Sequence, residues 1–421
     1  MHWSKTLPEW YVKKYGYQPC VNIGTAGHVD HGKTTLIQAL TGSWTSVHSQ
    51  ELKRGITIRV GYSDAAFYKC PSCEDHLGYS TAPKCNNCGG ESDLVRVVSF
   101  VDSPGHESLM ANMLSGSALM DGALLLVAAN ENVPRPQTKE HMLALQTLGI
   151  TQVVVAQNKI DLLSYEEALA NYDDIASFLK DTNMHGPPVI PISAQSNLNI
   201  DALIGTIEST IETPLRDESK EPVMHVLRSF DANRPGTKIK EMKGGVVGGS
   251  VTQGIFKVGD EIEIKPGVMS EKRKGEYDTL VTEITSLGTA AGTVESVKPG
   301  GLVAIGTKLD PAMTRSDSFT GSVIGRPDTL PESTKSLKLN VNLFDVAVGI
   351  KEDVKVKPIQ VGEMLRLNIG TAPVPGQVRR VRSEEVEVEL RRPACTFSGG
   401  HVAISRRIVE RWRLIGAGTV G

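Results

Sequence analysis

The stretch Gly27-His28-Val29-Asp30-His31-Gly32-Lys33-Thr34 limits what this chain can fold into more than any other. It fits the spacing G-x-x-x-x-G-K-[ST]. It lies between an expected strand, Val21–Thr25, and a segment whose Leu36 and Leu40 recur at helical spacing. A strand that turns through glycines into a helix leaves backbone N–H groups facing inward at a helix N-terminus, which makes a cradle for phosphate oxygens. In such a loop Lys33 reaches the β- and γ-phosphates of a nucleoside triphosphate, and the Thr34 hydroxyl supplies a ligand for Mg²⁺. The surrounding fold should therefore be an α/β domain with a mostly parallel sheet and helices on both faces.

The rest of the first half agrees. Val95–Val101, Ala123–Ala129, Val153–Gln157 and Val189–Ile192 read as strands, almost continuous in apolar residues, as expected for strands covered on both faces. Met142–Leu148, Ala168–Leu179 and Ile200–Ile211 carry helical patterns between or after them. Pro214 and the charged stretch Arg216–Glu221 close this pattern. Beyond Pro222 the runs are short, Gly245–Val251, Glu261–Lys265, Leu280–Ile284 and Leu302–Ile305, and are separated by Gly, Pro and Asp, which predicts a β-barrel. A proline-marked seam from Gly325 to Pro331 precedes a further strand set, Lys338–Leu343, Met364–Ile369, Val386–Leu390 and Val402–Ile404. The expectation is three domains: residues 1–213, which bind nucleotide, then β-barrels over 214–328 and 329–421.

Three segments fall where the chemistry of a triphosphate needs them. Asp102-Ser103-Pro104-Gly105-His106 follows a strand, putting a carboxylate where it can hold the magnesium shell and a glycine N–H beside the γ-phosphate. Asn158-Lys159-Ile160-Asp161 follows another. A carboxylate there accepts hydrogen bonds from N1–H and the 2-amino group of guanine, and adenine offers neither donor. An acceptor of this kind, if buried and left unpaired, costs about 1–3 kcal/mol or more, so it selects by penalty as well as attraction. Ser193-Ala194 would complete the base pocket through its backbone.

Of six cysteines, four form the pairs Cys70-Pro71-Ser72-Cys73 and Cys85-Asn86-Asn87-Cys88, separated by eleven residues; Cys20 and Cys395 stand alone. Four thiolates so spaced close a tetrahedral Zn²⁺ site with no open position, which points to a structural role. The insertion lies between Thr57 and Asp102, a position from which it could report nucleotide state to a partner. The formal charge is −3, from 45 Lys and Arg against 48 Asp and Glu, so the molecule as a whole is no polycation. Residues 376–421 hold nine Arg and five Glu, a local basic excess that reads as a solvated strand surface. The longest apolar run, Ala123–Ala129, is far below the ~20 residues that span a bilayer, and Met1-His2-Trp3-Ser4-Lys5 carries no apolar signal segment. A cytoplasmic protein without a membrane partner is expected.

Taken in chain order, the P-loop, Asp102-x-x-Gly105, Asn158-Lys159-x-Asp161 and Ser193-Ala194 are similar to a GTPase domain. His28-Val29-Asp30-His31 and Arg54-Gly55-Ile56-Thr57 resemble the translational branch. The resemblance implies that GTP or GDP is held by Val29, Asp30, His31, Gly32, Lys33, Thr34, Thr35, Gly105, Asn158, Lys159, Asp161, Ser193, Ala194 and Gln195. It further implies Mg²⁺ among Asp30, Thr34, Gly55, Thr57 and Asp102, and catalysis by His106, which positions the attacking water, with Thr57 and Lys33. Val29 and Ile56 resemble the apolar pair flanking that histidine.

With the zinc knuckle at Cys70, Cys73, Cys85 and Cys88, and with Glu51–Ile58 and Arg228–Gly236 as discriminating stretches, the chain resembles the gamma-subunit family of translation initiation factor 2 in its archaeal form. That implies GTP-dependent binding of initiator methionyl-tRNA, its delivery to the small ribosomal subunit, and assembly with alpha and beta subunits. The second domain would meet alpha and the first would meet beta. The P-loop contains no arginine to act as a finger, so slow intrinsic hydrolysis and an outside GTPase activator are expected. Two alternatives stay open: a selenocysteine-specific or other elongation GTPase, which shares the GTPase motifs but not the four-cysteine insertion, and a non-hydrolysing GTP-dependent scaffold.

Overall fold

The structure, a computed structural model, describes residues 3–45, 60–105, 110–180, 182, 186–270, 272–273, 275–347, 354–408 and 411–421. Its first part is a seven-stranded sheet built from β1 (Val21–Gly27), β2 (Gly61–Lys69), β3 (Tyr79–Ser80), β4 (Asp93–Asp102), β5 (Gly122–Ala128), β6 (Val153–Asn158) and β7 (Val189–Pro191). The strand order is β3-β2-β4-β1-β5-β6-β7. The five strands from β4 to β7 run parallel, and β2 and β3 form an antiparallel edge. β1 and β5 are buried at every residue; β5 is accordingly apolar throughout, and the two polar side chains of β1, Asn22 and Thr25, are hydrogen-bonded to the Leu119 carbonyl and to Asp102.

Among the described residues six helices accompany the sheet: α1 (Glu9–Tyr15), α2 (Lys33–Thr41), α3 (Met110–Ser117), α4 (Pro136–Thr147), α5 (Tyr165–Lys180) and α6 (Ile200–Thr210). α4 begins with Pro136 in its first turn, where a missing N–H goes unnoticed. α5 begins at a capping box: the Ser164 N–H donates to Glu167 Oε2 at 2.9 Å while the Glu167 N–H donates to Ser164 Oγ at 3.3 Å. One face of the sheet packs on Leu36, Ile37 and Leu40 of α2 and Leu203, Ile204 and Ile207 of α6. The other face packs on α3, α4 and α5.

Val223–Phe230, Val246–Gln253, Glu261–Met269, Tyr277–Thr289, Val303–Thr307 and Val323–Gly325 form a second sheet, closed into a six-stranded barrel where Glu261–Met269 pairs with Tyr277–Thr289. A second closed barrel is made by Ser333–Leu343, Met364–Ile369, Ala372–Arg382, Glu385–Cys395, His401–Ile408 and Arg411–Val420. Each encloses its own apolar core. Among the described residues no helix is long and apolar enough to cross a membrane.

The three parts are tied together. Gln18, buried ahead of β1, donates through Nε2 to the carbonyls of Lys298 (2.6 Å) and Gly300 (2.7 Å), and its Oε1 accepts from the Lys298 N–H at 3.0 Å. Asn368 of the last barrel donates to the Ala111 carbonyl and to Ser115 Oγ, at 3.2 and 3.4 Å. Leu227, Ala403 and Leu414 join the core beneath α3 and α4.

Candidate nucleotide and metal sites

β1 delivers the P-loop at the centre of the sheet. Lys33 opens α2 directly after Gly32, whose φ is +92°, a left-handed conformation that favours glycine. Lys33 Nζ donates to the carbonyls of Gly27 (2.9 Å) and His28 (2.6 Å), which holds the ammonium against the loop. Burial lowers its pKa to about 8, against the pull of Asp102 and Asp30. Val29 and Thr35 are half-buried, and Asp30 is exposed at φ +60°.

Asp102 ends β4 as a fully buried carboxylate. Its Oδ1 accepts from Thr25 Oγ1 at 3.2 Å; its Oδ2 accepts from Thr34 Oγ1 at 2.9 Å and Thr45 Oγ1 at 2.6 Å. Burial raises its pKa, and the Thr45 and Thr34 hydroxyls oppose that rise. A buried carboxylate fixed beside a threonine hydroxyl is an oxygen donor set of the kind Mg²⁺ takes. Gly105 completes the group: a β-carbon there would lie 2.5 Å from Lys33 Nζ and 3.1 Å from the Val29 nitrogen, so the loop after β4 rests directly on the P-loop.

Asn158 joins the base-side loops to the phosphate side. Its Nδ2 donates to the His31 carbonyl at 2.9 Å and its Oδ1 accepts from the Ala194 N–H at 3.0 Å. The Ala194 amide thus orients Asn158. Ser193 is buried and its Oγ accepts from the Ser196 N–H at 3.2 Å; Lys159 stands at φ +68° and Gln195 is exposed. Asp161 departs from expectation: its side chain is exposed, so the penalty argument for a buried acceptor does not apply to it as it stands here. Gly55, Thr57 and His106 lie outside the described residues, as do Arg54 and Ile56.

Sequence reasoning missed three side chains that fold into this site. Thr25 and Thr45 hold Asp102, and His141 Nδ1 accepts the Gly27 N–H at 2.9 Å. None belongs to a motif. The pairing of β1 with β4 brings in Thr25, the segment after α2 brings in Thr45, and the packing of α4 brings in His141.

The four knuckle sulfurs lie within 4.8 Å of one another, with Cys70 and Cys88 Sγ at 3.5 Å and Cys73 and Cys85 Sγ at 3.7 Å. Bonds of ~2.3 Å to a tetrahedral zinc require sulfurs at about this separation, so the donors fit the ion. Backbone N–H groups of Cys88 and Asn87 draw the Cys85 thiol down to about 7, toward the thiolate. The knuckle follows Thr57 and precedes Asp102 along the chain, but in space it lies far from Asp102. β2 pairs with β4 so that Gly61 faces Asp102 and Lys69 faces Asp93, which carries the knuckle to the far end of the hairpin, roughly 25 Å away at ~3.3 Å per residue. There Tyr79 lies over Gly205 of α6, where a β-carbon would come within 3.0 Å of the ring.

Part of the basic excess of the last barrel stands opposite acidic residues on neighbouring strands, and Arg379 pairs with Glu389. Glu387 lies between Lys338 and Arg380, Glu385 lies opposite Arg382, and Glu363 binds Arg406 at 2.5 Å.

Family models match two parts of the chain: the elongation factor Tu GTP-binding domain over residues 18–213, and the C-terminal part of initiation factor eIF2 gamma over 335–420. Translation initiation factor 2 subunit gamma of Archaeoglobus fulgidus is 54% identical over 402 residues, covering 96% of this chain and 94% of that protein. The same-named proteins of Methanocaldococcus jannaschii and Aeropyrum pernix are 52% and 53% identical, over 97% and 96% of this chain and 99% and 98% of theirs. The chain belongs to the gamma-subunit family of translation initiation factor 2. It is a translation initiation factor and a GTPase of the translational class, and it binds guanine nucleotide. Solved structures share the fold of this gamma-subunit chain. A bacterial selenocysteine-specific elongation factor superposes with TM-score 0.72 at 22% identity, over 95% of this chain and 58% of that one. The elongation factor SelB of Methanococcus maripaludis superposes with TM-score 0.69 at 24% identity, over 95% and 78%.

Proposed function

We propose that the chain binds GTP with Mg²⁺ at the P-loop and hydrolyses it slowly. In its GTP form it carries initiator methionyl-tRNA to the small ribosomal subunit, as one member of a heterotrimer with alpha and beta subunits. The supporting observation is the convergence of Lys33, Thr34, Asp102 and Gly105 on one loop, in a chain whose relatives are named as gamma subunits of an initiation factor. With divisions near residues 213 and 328, the second domain meets alpha and the first meets beta.

Lys33 exchanges the Gly27 and His28 carbonyls for β- and γ-phosphate oxygens. Thr34 and Asp102, together with Asp30, Gly55 and Thr57, would hold Mg²⁺. When bound, the ion neutralises charge on the β- and γ-oxygens. Thr57 and the Gly105 backbone contact the γ-phosphate, and His106, next to Gly105 in the chain, orients the attacking water. Loss of the γ-phosphate removes the anchor for both segments, and tRNA affinity falls with it. Asp161 is covered by the base itself, and its carboxylate then accepts N1–H and the 2-amino group. Cys70, Cys73, Cys85 and Cys88 hold a structural Zn²⁺.

Asp161→Asn tests the base assignment. Its amide donates to a 2-oxo group, so the variant should lose guanosine triphosphate and gain xanthosine triphosphate, and an unchanged guanosine preference would refute the pocket. Retention of charged initiator over elongator tRNA with GTP but not GDP tests the delivery role, and equal retention of both would count against it. Equal phosphate release by the native chain and His106→Ala, with ribosomes and an activator present, would favour a scaffold.

A further inference from the structure

Two buried titratable residues are neighbours on α4: His141, which touches the phosphate-binding loop, and Glu140, which has no part in the nucleotide site. His141 is 1% exposed, and its Nδ1 accepts the N–H of Gly27 at 2.9 Å. The acceptor role requires a neutral ring with its proton on Nε2, and burial, which lowers the pKa to about 3, keeps it neutral. Gly27 is the first residue of the phosphate-binding loop, and its carbonyl in turn accepts from Lys33 Nζ. It is tightly boxed at φ +131°: a β-carbon would sit 2.3 Å from the Leu126 oxygen. His141 therefore holds one side of the residue whose other side holds the loop lysine.

Glu140 is fully buried, and neither of its carboxylate oxygens has a hydrogen-bond partner. Arg413 Nη1 stands 3.7 Å away, on the strand Arg411–Val420 of the last barrel, and is itself buried. Ala403 and Leu414 of that barrel share an apolar core with Met142 and Leu145 of α4. Consecutive helical residues point about 100° apart, so one turn of α4 can face the loop with His141 and the barrel with Glu140.

We propose that His141 is a positioning residue for the phosphate-binding loop, and that Glu140 beside it ties the setting of that loop to the docking of the third domain through Arg413. A shift of the barrel strands the buried carboxylate, which is strongly unfavourable, and α4 moves to relieve it. The acceptor then leaves the Gly27 N–H, the backbone of the phosphate-binding loop loosens at its first residue, and bound nucleotide escapes faster. By linkage, nucleotide binding strengthens docking of the barrel to the same degree. The inference rests on the P-loop being the nucleotide site.

The test is release of a fluorescent GDP analogue from the full chain. His141→Leu removes the acceptor and should speed release about tenfold, the worth of one well-placed hydrogen bond. His141→Asn, whose Oδ1 can take the place of Nδ1, should restore the native rate to within about threefold, a rescue that bulk alone would not give. Arg413→Met should speed release several-fold in the native background and add nothing in His141→Leu, because both act on one path. Equal rates for Leu and Asn at position 141, additive effects of the two sites, or a lowered melting temperature for Arg413→Met with an unmoved release rate would each overturn the proposal. If His141→Leu does not fold, His141→Gln replaces it, since its amide reaches toward the Nε2 position and leaves Gly27 unpaired. A native chain that bound no analogue would instead refute the nucleotide site itself.

Discussion

Gly32 carries two demands at once: its φ of +92° and the Asn158 Nδ2 that lies 2.3 Å from where a β-carbon would stand. A methyl there strains the backbone and pushes aside the side chain that links the phosphate and base loops. Gly32→Ala should therefore weaken GDP binding by about a hundredfold or more, a loss of roughly 3 kcal/mol read by calorimetric titration. The overall fold should survive, because the strain is confined to the loop. His225 gives a second prediction at this scale. It lies between two barrels, with Phe397 edge-on at 6.3 Å, and burial pushes its pKa down to about 4. Below pH ~6.5 the unfolded chain takes up a proton that the folded one refuses. Stability from this residue is therefore complete above that pH and is lost as pH falls toward 4, by up to about 3 kcal/mol. Melting temperature against pH should fall less steeply for His225→Phe than for the native chain, and parallel slopes would contradict this. The P-loop residues were legible from spacing because a tight turn sets their positions locally. Thr25, Thr45 and His141 were not, because each reaches the site only by a long-range contact.

For the elements, the sequence pattern located the parallel strands well and placed helix starts less well. α5 begins at Tyr165, ahead of the expected Ala168, because the Ser164-x-x-Glu167 box starts it there, a signal present in the sequence but left unread. Ser164→Ala should cost about 1 kcal/mol in denaturant unfolding. β2 was missed altogether. Its stretch Gly61-Tyr62-Ser63-Asp64 mixes polar and apolar residues without clean alternation, and it becomes a strand by pairing with β4. That pairing also decides where the knuckle goes. Since the metal-ligand loop packs on α6 at the far end of the hairpin, removing metal with a chelator should lower the melting temperature while leaving GDP affinity within about threefold. A large loss of affinity would mean that the knuckle is coupled to the loop after all.

The whole molecule behaves as three cores bound by short, specific contacts: Gln18 to the first barrel, and Asn368 and Arg413 to α3 and α4. The loop from Gly27 to Thr34 contains no arginine, so the isolated chain should turn over GTP at ~10⁻⁴ to 10⁻² per second, the range of unassisted GTPases. Single-turnover phosphate release faster than about one per second would show a finger supplied from elsewhere in the chain. The domain order, the phosphate loop, the four-cysteine donor set and the resemblance to translational GTPases were settled by the sequence itself. Each depends on residues close together in the chain, whose spacing restricts the backbone to few conformations. What only the tertiary structure decided is how those pieces meet: barrel closure, the distance of the knuckle from Asp102, the exposure of Asp161, and the Glu140–Arg413 pair beside His141. Such contacts join residues tens to hundreds of positions apart. They follow from how apolar faces and buried charges are satisfied together in three dimensions, which local spacing does not encode.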